Sequence, residues 1–204
     1  MADIVHLIRH GQSRFNAEWE RHKRDPMIVD APLTDLGHEQ ARRLSPTLAG
    51  LGVEAVITSP LTRAIQTTLN VFPDRSVPIM VDDTHREYLW SSCDVGRSPT
   101  VLAREFQDLT FDHLNDPWWH CPSGDPTRVE KETLSGVMTR VEGFLDVLRA
   151  RPERRIAVVG HCTFFWLLTG HLMQNCEVFD IEPRWHVIPP PTPVPGSEEE
   201  KAPA

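Results

Sequence analysis

The sequence lacks several features that would place it in a specialised class of protein. No stretch approaches the ~18 consecutive apolar residues of a membrane-spanning helix, and the four cysteines among 204 residues form no CxxC pair. Cysteines this sparse exclude a disulfide scaffold and do not match a structural zinc site. We therefore expect four reduced thiols, no bound metal, and a chain that does not act in a membrane.

Positive charge is also scarce, since 21 Lys and Arg stand against 29 Asp and Glu for a net charge of -8 at pH 7. This balance offers no electrostatic footprint for nucleic acid, so we expect none as a partner. An anionic substrate would need a local cationic pocket. The first residues show neither a secretory signal nor a myristoylation or transit pattern, which predicts a cytoplasmic protein. The oligomeric state is left open.

The length of 204 residues suits a single domain. We predict one domain over residues 1–188 and a disordered tail over 189–204, because the tail is proline-rich, then acidic, and poor in apolar side chains. Residues 89–131 combine aromatic side chains with frequent Pro and Gly. This composition is typical of a segment that covers a ligand pocket as a cap. A satellite hydrophobic cluster under a long loop fits this composition equally well.

Three short apolar runs, at residues 4–8, 54–58 and 155–160, lack the polar alternation of a half-exposed strand. Such runs are typical of strands buried on both faces of a parallel sheet. Residues 77–81 form a weaker fourth candidate. Helical patterns separate the runs, so the sequence predicts an α/β fold with a mainly parallel central sheet.

Two helix signals carry specific expectations. Ser59 followed by Pro60 predicts a helix whose N-cap is Ser59 and whose first residue is Pro60. Pro46 lies inside an amphipathic pattern that begins near Asp35, and proline in a helix interior predicts a kink or a division there.

Charged and imidazole side chains follow the predicted strands at the points where they end. Arg9 and His10 follow the first run, Arg63 lies in the first turn after the second, and His161 follows the third. Ligands of open α/β sheets bind outside the carboxyl ends of the strands. We therefore expect these four side chains to meet in one site.

The residue types at this edge favour phosphate chemistry. An arginine guanidinium matches phosphate oxygens, and helix N-termini after Gly11 and Ser59 would add N–H donors. A neutral imidazole can attack phosphorus if its other ring nitrogen is held as a donor. If the arginines neutralise the transferred group, neither a metal nor another cofactor is needed.

Three segments resemble the signatures of the histidine phosphatase superfamily, in its phosphoglycerate mutase-like branch. Residues 7–13 read Leu-Ile-Arg-His-Gly-Gln-Ser, residues 59–67 read Ser-Pro-Leu-Thr-Arg-Ala-Ile-Gln-Thr, and residues 158–161 read Val-Val-Gly-His. Their order and spacing match the family from residue 3 to about residue 175. The resemblance implies a three-layer sandwich with a mainly parallel sheet.

The resemblance also implies a role for each matching residue. His10 is expected to be the nucleophile that forms a phosphohistidine. The residues expected to bind the phosphoryl oxygens are Arg9, Asn16, Arg63 and His161. The general acid is expected at Glu87, with Asp82 and Asp83 as weaker candidates.

The predicted activity is metal-independent hydrolysis of a phosphomonoester, of the histidine acid type, on a small phosphorylated metabolite. Gln12 stands where many mutases of the family carry glutamate, which favours a phosphatase over the alternative of a phosphoglycerate-type mutase. A catalytically weak phosphoanion-binding module is a third alternative, disfavoured by the complete set of motifs. A thiol nucleophile at Cys162 is disfavoured, because no third residue is available to orient a Cys/His pair.

Overall fold

The buried apolar runs form the centre of a five-stranded sheet in the computed structural model, which describes residues 2–182. The strands are β1 (Ile4–Arg9), β2 (Ala55–Thr58), β3 (Ile79–Val81), β4 (Arg155–Gly160) and β5 (Val178–Ile181), in the order β3-β2-β4-β1-β5. Strands β1 to β4 are parallel, whereas β5 pairs antiparallel with β1. The sheet is therefore mainly parallel, as predicted.

Helices cover both faces of this sheet. Within the described residues they are α1 (Arg14–His22), α2 (Asp35–Ala49), α3 (Thr62–Val71), α4 (Pro99–Glu105), α5 (Leu134–Ala150) and α6 (Cys162–Thr169). In β4, Ile156 and Val158 pack with α5 and α6, whereas Ala157 and Val159 pack with α2 and α3. Alternate residues of one strand thus serve two cores, and the predicted three-layer α/β fold is confirmed.

Helix α2 keeps its proline without being divided. It runs from Asp35 to Ala49, with Thr34 as N-cap and Pro46 inside the helix. Leu48, two residues beyond the proline, is 1% exposed and packs against the sheet. This burial compensates for the backbone hydrogen bond that proline cannot make, so the predicted division is wrong.

The predicted N-cap at Ser59 is also wrong. Helix α3 begins at Thr62, after Leu61, and its first N–H donates to the buried carboxylate of Asp30 over 2.7 Å. Arg97 donates to the other oxygen of the same carboxylate over 2.7 Å. The Asp30 carboxylate, from a loop distant in sequence, therefore caps the N-terminus of α3, where Ser59 was the predicted cap.

The aromatic residues of segment 89–131 divide between the two interpretations of that segment. Most of them pack into a separate hydrophobic cluster with Ile65 of α3 and with Leu61, which precedes that helix. They are Phe106, Phe111, Trp118 and Trp119. Trp90 instead lines the cavity that also contains His10 and Glu87. The satellite-cluster interpretation therefore describes four of these side chains, and the pocket interpretation describes one.

Two elements that position the site carry no clear signal in the sequence, namely α1 and β5. Helix α1 buries one residue, Phe15, and β5 has a half-exposed burial pattern. Within residues 2–182, no helix combines the length and apolarity needed to cross a membrane. The predicted tail at 189–204 and the predicted domain end at 188 lie outside the described residues.

Candidate active site

The carboxyl ends of β1 and β4 bring two histidines together. The backbone N–H of His10 donates to the carbonyl of Gly160 over 3.0 Å, which extends the strand pairing by one residue. The imidazole rings of His10 and His161 then lie 5.3 Å apart between centroids. His10 is buried there, with only 3% of it exposed.

His10 is held in one tautomer. Its Nδ1 lies 2.7 Å from the carbonyl oxygen of Gly11, which can only accept, so Nδ1 carries the proton and Nε2 carries the lone pair. The Nε of Arg63 donates to this Nε2 over 3.2 Å. Burial lowers the pKa of His10 well below its usual value, and the charges of Arg63 and Arg9 lower it further. The imidazole is therefore neutral, as a nucleophile must be.

The turn after His10 is fixed by a close approach of two backbones. A Cβ on Gly11 would lie 2.5 Å from the carbonyl oxygen of Gly37, and a Cβ on Gly37 would lie 2.1 Å from the carbonyl oxygen of Gln12. Both contacts are shorter than atoms tolerate, so only glycine fits at either position. The first turn of α2 thus packs directly on the turn that aims His10.

Arg63 is oriented by residues that follow the candidate acid. Its Nη1 donates to the carbonyl of Cys93 over 2.6 Å, and its Nη2 donates to the carboxylate of Asp94 over 2.9 Å. The second oxygen of Asp94 accepts from the backbone N–H groups of Trp90 and Ser91. Asp94 therefore connects Arg63 to the loop after Glu87, and sequence reasoning did not find it.

Arg9 is held from the segment that precedes β5. Its Nη1 donates to the carbonyl of Met173 over 2.6 Å. The N–H of Cys176 donates to the carbonyl of Arg9, and the side-chain amide of Asn175 donates to the carbonyl of His10 over 2.8 Å. The Nε of Arg9 is buried and has no protein partner within the described residues, so this donor is available to an anion.

His161 is fully buried and pairs with Ser59. Its Nε2 lies 2.7 Å from the Ser59 hydroxyl, while its Nδ1 is buried without a partner among the described residues. Burial lowers its pKa well below the usual value, and the charge of Arg63 adds to this effect. Ser59, predicted as a helix cap, is instead the group that sets the ring position of His161.

Glu87 is the carboxyl group at this site whose pKa is raised. Burial raises it first and the charge of Asp94 adds to it, although Arg63 and the N–H donors of Tyr88 and Thr163 act in the opposite direction. One carboxylate oxygen accepts from the N–H of Phe164 over 2.9 Å, and the other accepts from the N–H of Thr163 over 3.1 Å. The side chain is thus held at the first turn of α6.

The two aspartates considered as alternative acids lie elsewhere. Burial alone would raise the pKa of Asp82, but hydrogen bonds and charge from His85, together with hydrogen bonds from Thr84, hold it far below the usual value. Asp83 is 3.8 Å from Arg86. Neither aspartate is among the residues that line the cavity, whereas Glu87 is one of them.

Two further residues from the sequence analysis line the cavity. Asn16 closes a capping box with Ser13 at the start of α1, and its Oδ1 accepts from the Ser13 N–H over 3.1 Å. Its side-chain NH₂ is the group that can donate to a ligand. Burial raises the pKa of the Cys162 thiol to about 11, so this side chain is a thiol rather than a thiolate.

A cavity of about 310 Å³ joins these groups. We call Arg9, His10, Arg63 and His161 the charged floor, although His161 lies buried beside His10 rather than on the cavity surface. We call Phe15, Trp19, Tyr88 and Trp90, which all line the cavity, the aromatic wall. Glu87 lines the same cavity. Within residues 2–182, no cluster of three or more His, Cys, Asp or Glu has an arrangement able to hold a metal ion.

A buried neutral imidazole beside two arginines and a carboxyl of raised pKa is an arrangement suited to phosphate chemistry, and comparison with known proteins assigns the family. The profile of the histidine phosphatase superfamily (branch 1) matches residues 5–183. The chain belongs to this superfamily, and the resemblance read from the three sequence motifs is confirmed.

Relatives within the family are named both as phosphatases and as phosphoglycerate mutases. The chain is 28% identical over 181 residues to adenosylcobalamin/alpha-ribazole phosphatase of Escherichia coli, covering 88% of this chain and 82% of that protein. It is 35% identical over 161 residues to a probable phosphoglycerate mutase, GpmB, of an Enterobacter species, covering 77% and 68%. In fold it is similar to YhfR of Bacillus stearothermophilus, with a TM-score of 0.62, 21% identity, and coverage of 91% and 95%.

Proposed function

We propose that the protein hydrolyses small phosphomonoesters through a covalent phosphohistidine on His10. The observation that carries this proposal is the state of His10, whose Nδ1 is held by the Gly11 carbonyl and whose Nε2 lone pair lies beside Arg63. Such an imidazole is a nucleophile that needs no separate base to activate it. When a substrate enters, the Arg63 N–H must move from Nε2 to a phosphoryl oxygen.

The first step transfers the phosphoryl group to the enzyme. His10 Nε2 forms a bond to phosphorus, the bond from phosphorus to the alcohol oxygen breaks, and the proton of Glu87 goes to that oxygen. Arg9, Arg63, Asn16 and neutral His161 donate to the non-bridging oxygens, where charge must be stabilised. The raised pKa of Glu87 supports its role, because a larger fraction of the group holds a proton near neutral pH.

The second step returns the enzyme to its starting state. A water molecule attacks phosphorus, Glu87 as carboxylate takes one proton of that water, and the bond from Nε2 to phosphorus breaks. Inorganic phosphate leaves and Glu87 is protonated again. No step requires a metal ion, because the positive charge at the site comes from Arg9 and Arg63.

A mutase is the second candidate, since one of the relatives described above is named a phosphoglycerate mutase. A mutase would return the phosphoryl group to an alcohol instead of water. Gln12 was considered evidence against this activity, but its side chain accepts from the Thr34 hydroxyl over 2.9 Å and does not line the cavity. The product therefore decides between the two candidates, with free phosphate expected for the hydrolase.

Rapid quenching with a ³²P-labelled monoester tests the covalent step. We expect an adduct on His10 that is acid-labile and base-stable, formed and consumed at rates compatible with turnover. A labelled Cys162, or turnover with no labelled enzyme at any quench time, would overturn the mechanism. Release of an isomeric phosphate ester without inorganic phosphate would keep the phosphohistidine but replace the hydrolase with a mutase.

A further inference from the structure

The aromatic wall is the part of the cavity that phosphoryl transfer does not require. Phe15 and Trp19 stack with ring centroids 6.0 Å apart and an angle of 11° between their planes. Tyr88 and Trp90 lie 5.7 Å apart and are tilted by 42°. Two aromatic pairs from separate segments therefore border the same space as His10 and Glu87.

The two segments that carry the wall are tied together by hydrogen bonds and packing. Asp25, just after α1, accepts from the backbone N–H of Ser92 over 2.8 Å and also from its hydroxyl. Cys93, in the loop after Glu87, packs with Phe15 and Trp19. The wall is thus formed before a ligand binds, which reduces the entropy lost on binding.

The charges around the cavity argue against an acidic alcohol. Within residues 2–182, the cationic side chains that line the cavity are Arg9 and Arg63, and both belong to the charged floor. A carboxylate on the alcohol would need a further cation and would also lie near Glu87. The exposed Lys131 places its Nζ 3.8 Å from the ring centroid of Trp90 but does not line the cavity.

We propose that the preferred substrate is the phosphate monoester of an uncharged aromatic alcohol, whose ring stacks on the aromatic wall while its phosphate lies on the charged floor. This inference rests on the proposed hydrolase function. Aromatic rings gain from offset or edge-to-face contact with other rings beyond the area they bury. A cavity of about 310 Å³ is at the lower end for small-molecule sites, which fits a phosphate with one or two fused rings.

Three primary alkyl phosphates test the proposal in hydrolysis, because they share the same kind of leaving oxygen and differ in what the wall must bind. These are 2-naphthylmethyl phosphate, glycerol 1-phosphate and 3-phosphoglycerate. We expect kcat/KM to be at least about tenfold higher for the naphthylmethyl ester than for glycerol phosphate, and lowest for 3-phosphoglycerate. A kcat/KM for 3-phosphoglycerate equal to or higher than that for the naphthylmethyl ester would overturn this proposal but would not contradict the proposed hydrolase activity.

Variants of the aromatic wall test which residues cause the preference for the naphthylmethyl ester. Trp19→Ala and Trp90→Ala should each lower the ratio of kcat/KM for the naphthylmethyl ester to that for glycerol phosphate by about tenfold, and Trp19→Phe should retain most of it. Val101→Ala, at an exposed apolar residue of α4, is the matched control and should leave the ratio unchanged. If the ratio is unchanged in both alanine variants, the aromatic wall does not bind the alcohol part of the substrate. The same conclusion follows if 3-phosphoglycerate is the best substrate and Lys131→Gln removes activity on it.

Binding without turnover separates the two proposals. Calorimetric titration should give a Kd about tenfold lower for 2-naphthylmethylphosphonate than for methylphosphonate, and Trp90→Ala should remove the difference. If this preference holds but no phosphohistidine forms, the aromatic subsite stands and the hydrolase fails. If phosphohistidine forms but both phosphonates bind equally, the hydrolase stands and the aromatic subsite fails.

Discussion

The charged floor and the aromatic wall border one cavity but are built differently. His10, Arg63 and His161 are each at most 3% exposed. His10 and His161 directly follow strands of the sheet, and the His10 N–H donates to the Gly160 carbonyl, whereas Arg63 lies on α3 and is oriented by Cys93 and Asp94. Trp19 and Trp90 are half-buried and lie on a short helix and a loop, joined through side-chain bonds such as that of Asp25 with Ser92. The chemistry thus depends on sheet topology, and the shape of the alcohol site depends on irregular segments.

Loss of the nucleophile should have the largest effect on the charged floor. His10→Ala should lower kcat/KM by at least about 10⁴-fold, because it removes the group proposed to accept the phosphoryl group. Circular dichroism should show an unchanged fold. His22→Ala, at an exposed histidine of α1, is the control and should retain activity; turnover by His10→Ala at the wild-type rate would remove the basis of the mechanism.

Glu87 lies where the floor meets the wall, and its removal should slow some substrates more than others. Glu87→Gln should slow hydrolysis of alkyl phosphates by ~10²–10⁴-fold, the range that general acid catalysis supplies. The loss should be distinctly smaller with para-nitrophenyl phosphate, whose phenolate leaves without a proton. Steady-state kinetics on both esters measure the contrast.

The matched control for this variant is Asp83→Asn, which should leave both rates near the wild-type values. Equal losses on the two esters would mean that Glu87 only positions Arg63 or α6. Because Glu87 accepts from the N–H groups of Thr163 and Phe164, a lower Tm in Glu87→Gln is expected and does not by itself test the acid role.

A smaller, pH-dependent effect is expected from Asp94, which connects the floor to the wall. The first step needs protonated Glu87, so kcat/KM falls as pH rises through the pKa of that group. Burial and then the negative charge of Asp94 raise this pKa. Asp94→Asn should therefore move the descending limb of the kcat/KM profile to lower pH, whereas the exposed Asp125→Asn should not move it. If kcat/KM instead falls equally at all pH values and the descending limb does not move, Asp94 acts only by holding Arg63.

Chelation should have the smallest effect, because the proposed step uses arginine charge. Prolonged treatment with EDTA should leave kcat/KM unchanged, and vanadate should inhibit by occupying the charged floor as a phosphoryl mimic. Inactivation by EDTA that zinc or magnesium reverses would show that the floor includes a metal ion.

The sequence predicts the charged floor better than the groups that surround it. Arg9, His10 and His161 follow buried apolar runs, and parallel strands end at a common edge, so their meeting can be inferred from local patterns alone. Asp94 carries no such signal, because its partner Arg63 is 31 residues away and lies on another element. Ser59 has a strong local signal for a helix cap, yet its hydroxyl pairs with His161, which is 102 residues away.

Dependence on contacts between residues distant in sequence also explains why two elements of the fold could not be predicted. Strand β5 is an edge strand of four residues with a partly exposed pattern, and α1 is polar apart from Phe15, Ala17 and Trp19. Such elements are stabilised by tertiary contacts rather than by their own periodicity. The aromatic wall depends on both α1 and the loop after Glu87, and of its four residues only Trp90 lies in the segment 89–131 that the sequence indicated.

The anchoring of Arg9 and His10 from the far end of the chain has a consequence for biosynthesis. Asn175, which binds the carbonyl of His10, is 165 residues further along the sequence, and β1 pairs with strands β4 and β5 rather than with β2. Contacts of such long sequence separation form late, because the chain entropy lost in closing the loop must be offset by many contacts at once. A nascent chain that still lacks residues 155–181 on the ribosome therefore has the nucleophile but no strand to hold it, so enzymatic competence is gained only after these residues have been synthesised.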